Sequence, residues 1–116
     1  MGETYVDLTI YGPRGTRTVT CLADTAATYT KIPPDVAGEV GLVFVSETPV
    51  ELGDGRIVIR RIAVADVRIE NVRGPTIVAV GEQDEQPLLG YTTLELLGFK
   101  VDTVAHRLER RTPIEY

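Results

Sequence analysis

A single cysteine, Cys21, stands in the 116 residues. No disulfide can form within the chain, and a disulfide-stapled extracellular scaffold is excluded. A lone thiol inside a strand-like run reads as a small buried hydrophobe, and a cytoplasmic setting is the expectation. There is one histidine, His106, with neither a second histidine nor a cysteine near it in sequence, so no metal site and no Ser-His-Asp arrangement is expected. No apolar run approaches the roughly 18 residues of a membrane-spanning helix, and no membrane partner is expected. The N-terminal stretch, MGETYVDLTIYG, lacks a basic segment followed by an unbroken apolar one, so it is not read as a secretory signal. Val6 also stands where an N-terminal lipidation pattern asks for Ser or Thr. Basic residues are too few for a nucleic-acid binder: 12 Lys and Arg against 17 Asp and Glu give a net charge of −5, without the positive footprint that displaces counterions. The two small basic clusters, Arg60-Arg61 and Arg107 to Arg111, read as solvated faces. A P-loop, a dinucleotide glycine motif, a βαβ rhythm, an internal repeat and low-complexity sequence are all absent, which removes the common phosphate-binding classes.

What is present is alternation. Hydrophobic residues make up 43% and charged residues 25%, a balance that folds as one domain over residues 1–116. Val6, Leu8 and Ile10 alternate with polar neighbours, Gly12 to Gly15 turns, and Thr16 to Ala23 alternates again, which predicts a hairpin. Thr28 to Ile32 reads as extended. Pro33-Pro34 then starts a short helix over Asp35 to Val40, stopped by Gly41. Val43 to Val45 and Val50 to Leu52 read as short strands, followed by the hairpin tip Gly53-Asp54-Gly55, whose residues accept positive φ. Ile57 to Glu70 is the longest strand, with a phase shift near Arg60-Arg61 that suggests a bend or bulge. Thr76 to Val80 is an apolar strand, Glu82 to Gln86 an acidic loop, Thr93 to Leu97 a short helix capped by Gly98, and Phe99 to Val104 a last strand. The chain is mainly β with two short helices, and the tail from Arg110 takes no assignment.

Asp24-Thr25-Ala26-Ala27 interrupts this pattern with four small or polar residues directly after a strand. Read alone, Asp24 is a turn aspartate. Together with two further segments it resembles a family. Cys21 to Thr30 is similar to the active-site strand and loop of retropepsin-like, retroviral-type aspartic proteases, with the bacterial and archaeal branch looking closest. Thr76 to Val80, then Leu88-Leu89-Gly90 and the helix ending at Gly98, resemble that family's last strand, its apolar-apolar-Gly element and its C-terminal helix. Val50 to Ile59 takes the place of the flap hairpin. The resemblance spans roughly Val6 to Val104.

It implies a closed β-barrel of the acid protease fold, acting as a homodimer on peptide or protein substrates with no cofactor. Aspartic proteases work with two carboxylates about 3 Å apart that share one proton, because like charges that close cannot both ionise. One chain here has one motif, so the second carboxylate must come from a second copy, and two-fold symmetry would set two identical loops face to face. The resemblance makes Asp24 catalytic and gives Thr25 a supporting hydrogen bond across the dimer axis. Ala26, Ala27, Leu88 and Leu89 would lie against substrate, and Gly53, Asp54 and Gly55 would form the tip of a moving flap. The family carries Gly where Ala26 stands, which sets a second reading beside the first: a protease-like dimer that holds extended peptides without cutting them. A purely structural dimerisation domain is the third. Leu88 and Leu89 also read as core, and Glu82, Asp84 and Glu85 as a solvated loop that would favour basic substrates if it rimmed the cleft.

Overall fold

The computed structural model describes residues 2–115. Alternation becomes strand wherever it was legible. β1 (Tyr5–Gly12) and β2 (Gly15–Asp24) pair antiparallel over the whole length of β1, Tyr5 opposite Leu22 and Gly12 opposite Gly15. β3 (Thr30–Ile32) leads into α1 (Pro34–Val40), and β4 (Phe44–Glu51) into β5 (Ile57–Ile69). β6 (Val72–Val80), β7 (Leu88–Gly90), α2 (Tyr91–Leu97) and the hairpin β8 (Phe99–Asp102) and β9 (Arg107–Arg110) complete the chain. Gly41 and Gly98 close the two helices in the left-handed conformation, φ 76° and 77°, as expected.

Six strands in the order β1-β2-β7-β3-β6-β5 form a barrel, which closes where β1 pairs with β5, Leu8 opposite Ile69. Closure leaves those strands no free edge. The inward residues are the apolar half of each alternation: Leu8, Ile10, Val67, Ile69, Val78 and Leu89 are all fully buried. Val36, Ala37 and Val40 of α1 and Leu94 and Leu97 of α2 pack on the same core. The chain is therefore a mainly β closed barrel with two short helices.

β4 lies outside the barrel, paired to β5 alone. Sequence suggested two short strands there, because Ser46 to Pro49 breaks the apolar pattern. They form one continuous strand, since an edge strand tolerates a proline and has only one face to bury. The bend or bulge expected near Arg60-Arg61 is present beside it, with the extra residue on the partner strand. β5 buries Ile62 and Ala63 in succession, and the extra residue is Val45 on β4, where the register jumps between Phe44 and Ser46. That jump marks where β5 leaves the barrel and becomes the arm of a projecting hairpin.

The remaining corrections are at ends. β3 starts at Thr30 rather than Thr28, and α2 starts at Tyr91 rather than Thr93. β8 stops at Asp102, whose Oδ1 accepts the N–H groups of Val104 and Ala105 and turns the chain back. β9 was not expected at all. Arg107 to Arg111 is not simply a solvated face: Leu108 is buried, and the Arg110 guanidinium lies over the Phe99 ring while donating to the Leu97 carbonyl.

Candidate active site

β2 ends at Asp24, and two neighbours hold that end. The Ala23 N–H donates to the Thr4 carbonyl at 2.8 Å and the Leu22 N–H to the Pro87 carbonyl at 2.9 Å. β7 runs parallel beside it, placing Leu22 next to Leu88, Ala23 next to Leu89 and Asp24 next to Gly90. The chain then turns on Asp24 itself. Its Oδ1 accepts the Ala26 N–H at 3.0 Å and its backbone carbonyl the Ala27 N–H at 3.1 Å. Small residues suit this turn; the Ala26 amide fixes the carboxylate's direction, and the Ala27 amide closes the backbone turn. Ala26 is not among the residues with positive φ, so an L side chain fits there without backbone strain.

The first turn of α2 clamps the far side of the loop. The Tyr91 N–H donates to the Ala27 carbonyl at 2.7 Å, and the Thr92 N–H to the Thr28 carbonyl at 3.0 Å. Below it lies a chain of buried hydroxyls. Thr30 Oγ1 accepts the Gly90 N–H at 3.1 Å and is 2.5 Å from Thr93 Oγ1, which is 2.7 Å from Thr76 Oγ1. One fully buried hydroxyl on α2 thus joins β3, β6 and β7 beneath the Asp24 loop.

Two recesses meet at Asp24. The larger, about 750 Å³, lies between the barrel wall and the β4–β5 hairpin. Of the residues singled out from sequence, it brings together Asp24, Ala26, Ala27, Gly53 and Leu88. The smaller, about 420 Å³, lies on the other side and is bordered by Thr4, Ala23, Asp24, Thr25 and the β8–β9 hairpin residues Val101 and Thr103. Thr25 is exposed toward that second recess and takes no part in the first.

Three residues stand apart from the expected cleft surface. Leu89 is fully buried in the core and is no cleft wall, because adjacent residues of a strand face opposite ways and Leu88 takes the cleft side. Asp54 and Gly55 hold the hairpin turn and do not border the recess. Asp54 accepts the Arg56 N–H at 3.0 Å and its Nε at 2.7 Å, bonds that draw its carboxyl group below the ordinary range. Gly55 takes φ +88° and donates its N–H to the Leu52 carbonyl. A Cβ at Gly53 or Gly55 would meet nothing within 4 Å, so the tip is unpacked.

The sequence reading missed the cleft floor at the base of the hairpin. Lys31, Arg60 and Ala79 border the large recess. Arg60, expected on a solvated face, is only 5% exposed and donates to Glu85 Oε2 at 2.8 Å. Arg61 does face outward, over the Phe44 ring. Glu85 is likewise no free loop residue. Burial opposes its charge, but the Glu82 amide, the Arg60 guanidinium and the Lys31 ammonium outweigh that and hold its carboxyl group below the ordinary range. The available signal was the period: Arg60 shares its face of β5 with buried Ile62. Cys21 is buried as expected, and burial pushes its thiol up to about 12. No helix among the described residues is long and apolar enough to cross a membrane.

Residues 11–96 match the family described as gag-polyprotein putative aspartyl protease, a stretch that carries the Asp24 turn, the hairpin, Leu88-Leu89-Gly90 and most of α2. The chain belongs to that aspartyl protease family. No curated protein matches it.

Proposed function

We propose that the chain is a homodimeric aspartic endopeptidase in which Asp24 and the Asp24 of a second copy form the catalytic pair. The observation that carries this is the position of Asp24 at the junction of two recesses. One is a roofed cleft able to take an extended peptide, and the other lies on the side where Thr25 is exposed. The family supplies the chemistry, and one aspartate motif per chain supplies the need for a partner.

In this reading the second recess receives the partner's loop, and Thr25 contacts its counterpart across the axis. The two carboxylates share a proton. One activates a water and the other donates a hydrogen bond to the scissile carbonyl. The Ala26 amide on Oδ1 keeps the carboxylate aimed, and Oδ2 has no hydrogen-bond partner among the described residues. The hairpin Thr48 to Gly53 closes over the peptide, which binds through main-chain hydrogen bonds as an added strand. Its unpacked tip suits such movement. No cofactor or metal is required.

The test is cleavage of an unfolded protein or a peptide library between about pH 3 and 7, by the native chain and by Asp24→Asn. The reading expects pepstatin-sensitive cleavage that is lost in Asp24→Asn while the fold is retained. Cleavage that persists in the variant rules it out. Peptide binding without turnover selects the non-cutting dimer instead.

A further inference from the structure

The cleft floor at the base of the hairpin carries two cations and one close carboxylate. Lys31, Leu88 and Ala79 lie side by side on neighbouring strands, since Lys31 pairs with Leu88 in one direction and with Ala79 in the other. Ile62 pairs with Ala79, and Arg60, two residues earlier on β5, is on the same face. The outer face of the barrel at this point is therefore the cleft floor, with Lys31 set into it and Arg60 beside it at the base of the hairpin arm.

Glu85 serves both cations with one oxygen. Its Oε2 is 2.8 Å from Arg60 Nη2 and 3.5 Å from Lys31 Nζ, and its Oε1 accepts the Glu82 N–H at 2.6 Å. Glu82 reaches Arg60 Nη1 only at 4.0 Å, and its side chain is 77% exposed, so water screens it. Asp24 and Glu51 also border the cleft but pair with neither cation. Gly81 leaves the space the cluster occupies: a Cβ there would fall 2.8 Å from Lys31 Cδ and 3.0 Å from Glu85 Oε1. Two positive groups, 6% and 19% exposed at the side chain, thus share one partly buried carboxylate. A surplus positive charge with restricted water is costly, and a carboxylate brought by a ligand would balance it.

We propose that the cleft selects peptides carrying Asp or Glu at the substrate position that packs against Lys31 and Arg60. The selected carboxylate joins Glu85 around the two cations and completes the ion cluster. This rests on the reading of the cleft as a peptide site. It reverses the preference for basic substrates that the acidic loop suggested from sequence, because Glu85 is turned inward and already neutralised.

The experiment uses three fluorescein-labelled peptide pools of identical composition that differ only in one fixed residue, Glu, Gln or Lys. Binding to the Asp24→Asn protein is followed by anisotropy, and cleavage by the native protein is measured in parallel. The Glu pool is expected to bind and react about tenfold better than the Gln pool, the size of one partly screened charge pair, with the Lys pool weakest. Lys31→Met should shrink the Glu-to-Gln ratio by about threefold or more, and Lys31→Arg should keep it. Circular dichroism confirms that both variants fold. Cleavage with no preference between Glu and Gln overturns the acidic subsite and leaves the protease reading intact. A Glu preference in binding, with no cleavage by the native protein, supports the subsite and overturns the protease reading. A preference unchanged in Lys31→Met overturns the paired-cation subsite, and no binding or cleavage of any pool overturns both.

Discussion

Gly90 lies directly beside Asp24 in the parallel pairing of β7 with β2, and a Cβ on Gly90 would sit 2.3 Å from the carbonyl carbon of Tyr29. Three chain segments pass through that point: the strand that ends in the aspartate, the loop that leaves it and the strand that enters α2. Their spacing is set by a residue with no side chain.

Gly90→Ala therefore forces backbone apart at the aspartate, and no flexible side chain is present to give way. The expected cost is about 3 kcal/mol or more of stability, at the upper end for overpacking, with loss of any cleavage. Gly53→Ala is the control. A Cβ there meets nothing within 4 Å, and the change should stay within about 0.5 kcal/mol. Denaturant midpoints of the two variants check this.

The hydroxyl chain under the loop gives a second expectation. Thr93→Val keeps the shape but leaves the buried Thr76 hydroxyl without its partner, and that of Thr30 with only the Gly90 amide. The loss should be about 1–3 kcal/mol. Replacing Thr76 as well should cost less than the sum of the two single changes, since the orphaned group is removed with its partner. A double-mutant cycle by urea unfolding measures the difference.

Acid sensitivity follows from Glu85. Its carboxyl group is held below its ordinary value of 4.5 in the folded protein. The stability it contributes is therefore present above the unfolded value and lost as pH falls through the lower, folded one. Glu85→Gln should lower the melting temperature at pH 6 and flatten its decline below about pH 4.5. Parallel curves for the two proteins from pH 6 to 3 would contradict the assignment.

Ala26 departs from the glycine of the family, yet its φ is not in the left-handed region. Ala26→Gly is expected to lower stability by about 0.5–1 kcal/mol through backbone entropy and to change turnover by less than about threefold. A large gain in rate would instead identify the methyl group as an obstacle in the cleft.

Much of this architecture was legible residue by residue. The alternation of Val6, Leu8 and Ile10 fixed a face, Gly41 and Gly98 marked helix ends, and the Asp24 turn stood out against two strands. What escaped was set by pairing between distant segments. β4 is continuous because β5 supports it through Pro49, and β9 exists because β8 lies opposite the one apolar residue, Leu108, in a run of charges. Arg60 looked like surface because its partner Glu85 is 25 residues away. Leu88 and Leu89 could be separated into cleft and core only once the barrel defined an inside.

The most direct test mixes two proteins. Native chain is held at a fixed concentration and co-refolded with an equal amount of Asp24→Asn. If each active site takes one Asp24 from each of two copies, random pairing leaves about half of the native chains in homodimers, and cleavage should fall to about half. A rate unchanged by the added variant would mean that one chain carries a complete site, and would contradict the shared pair.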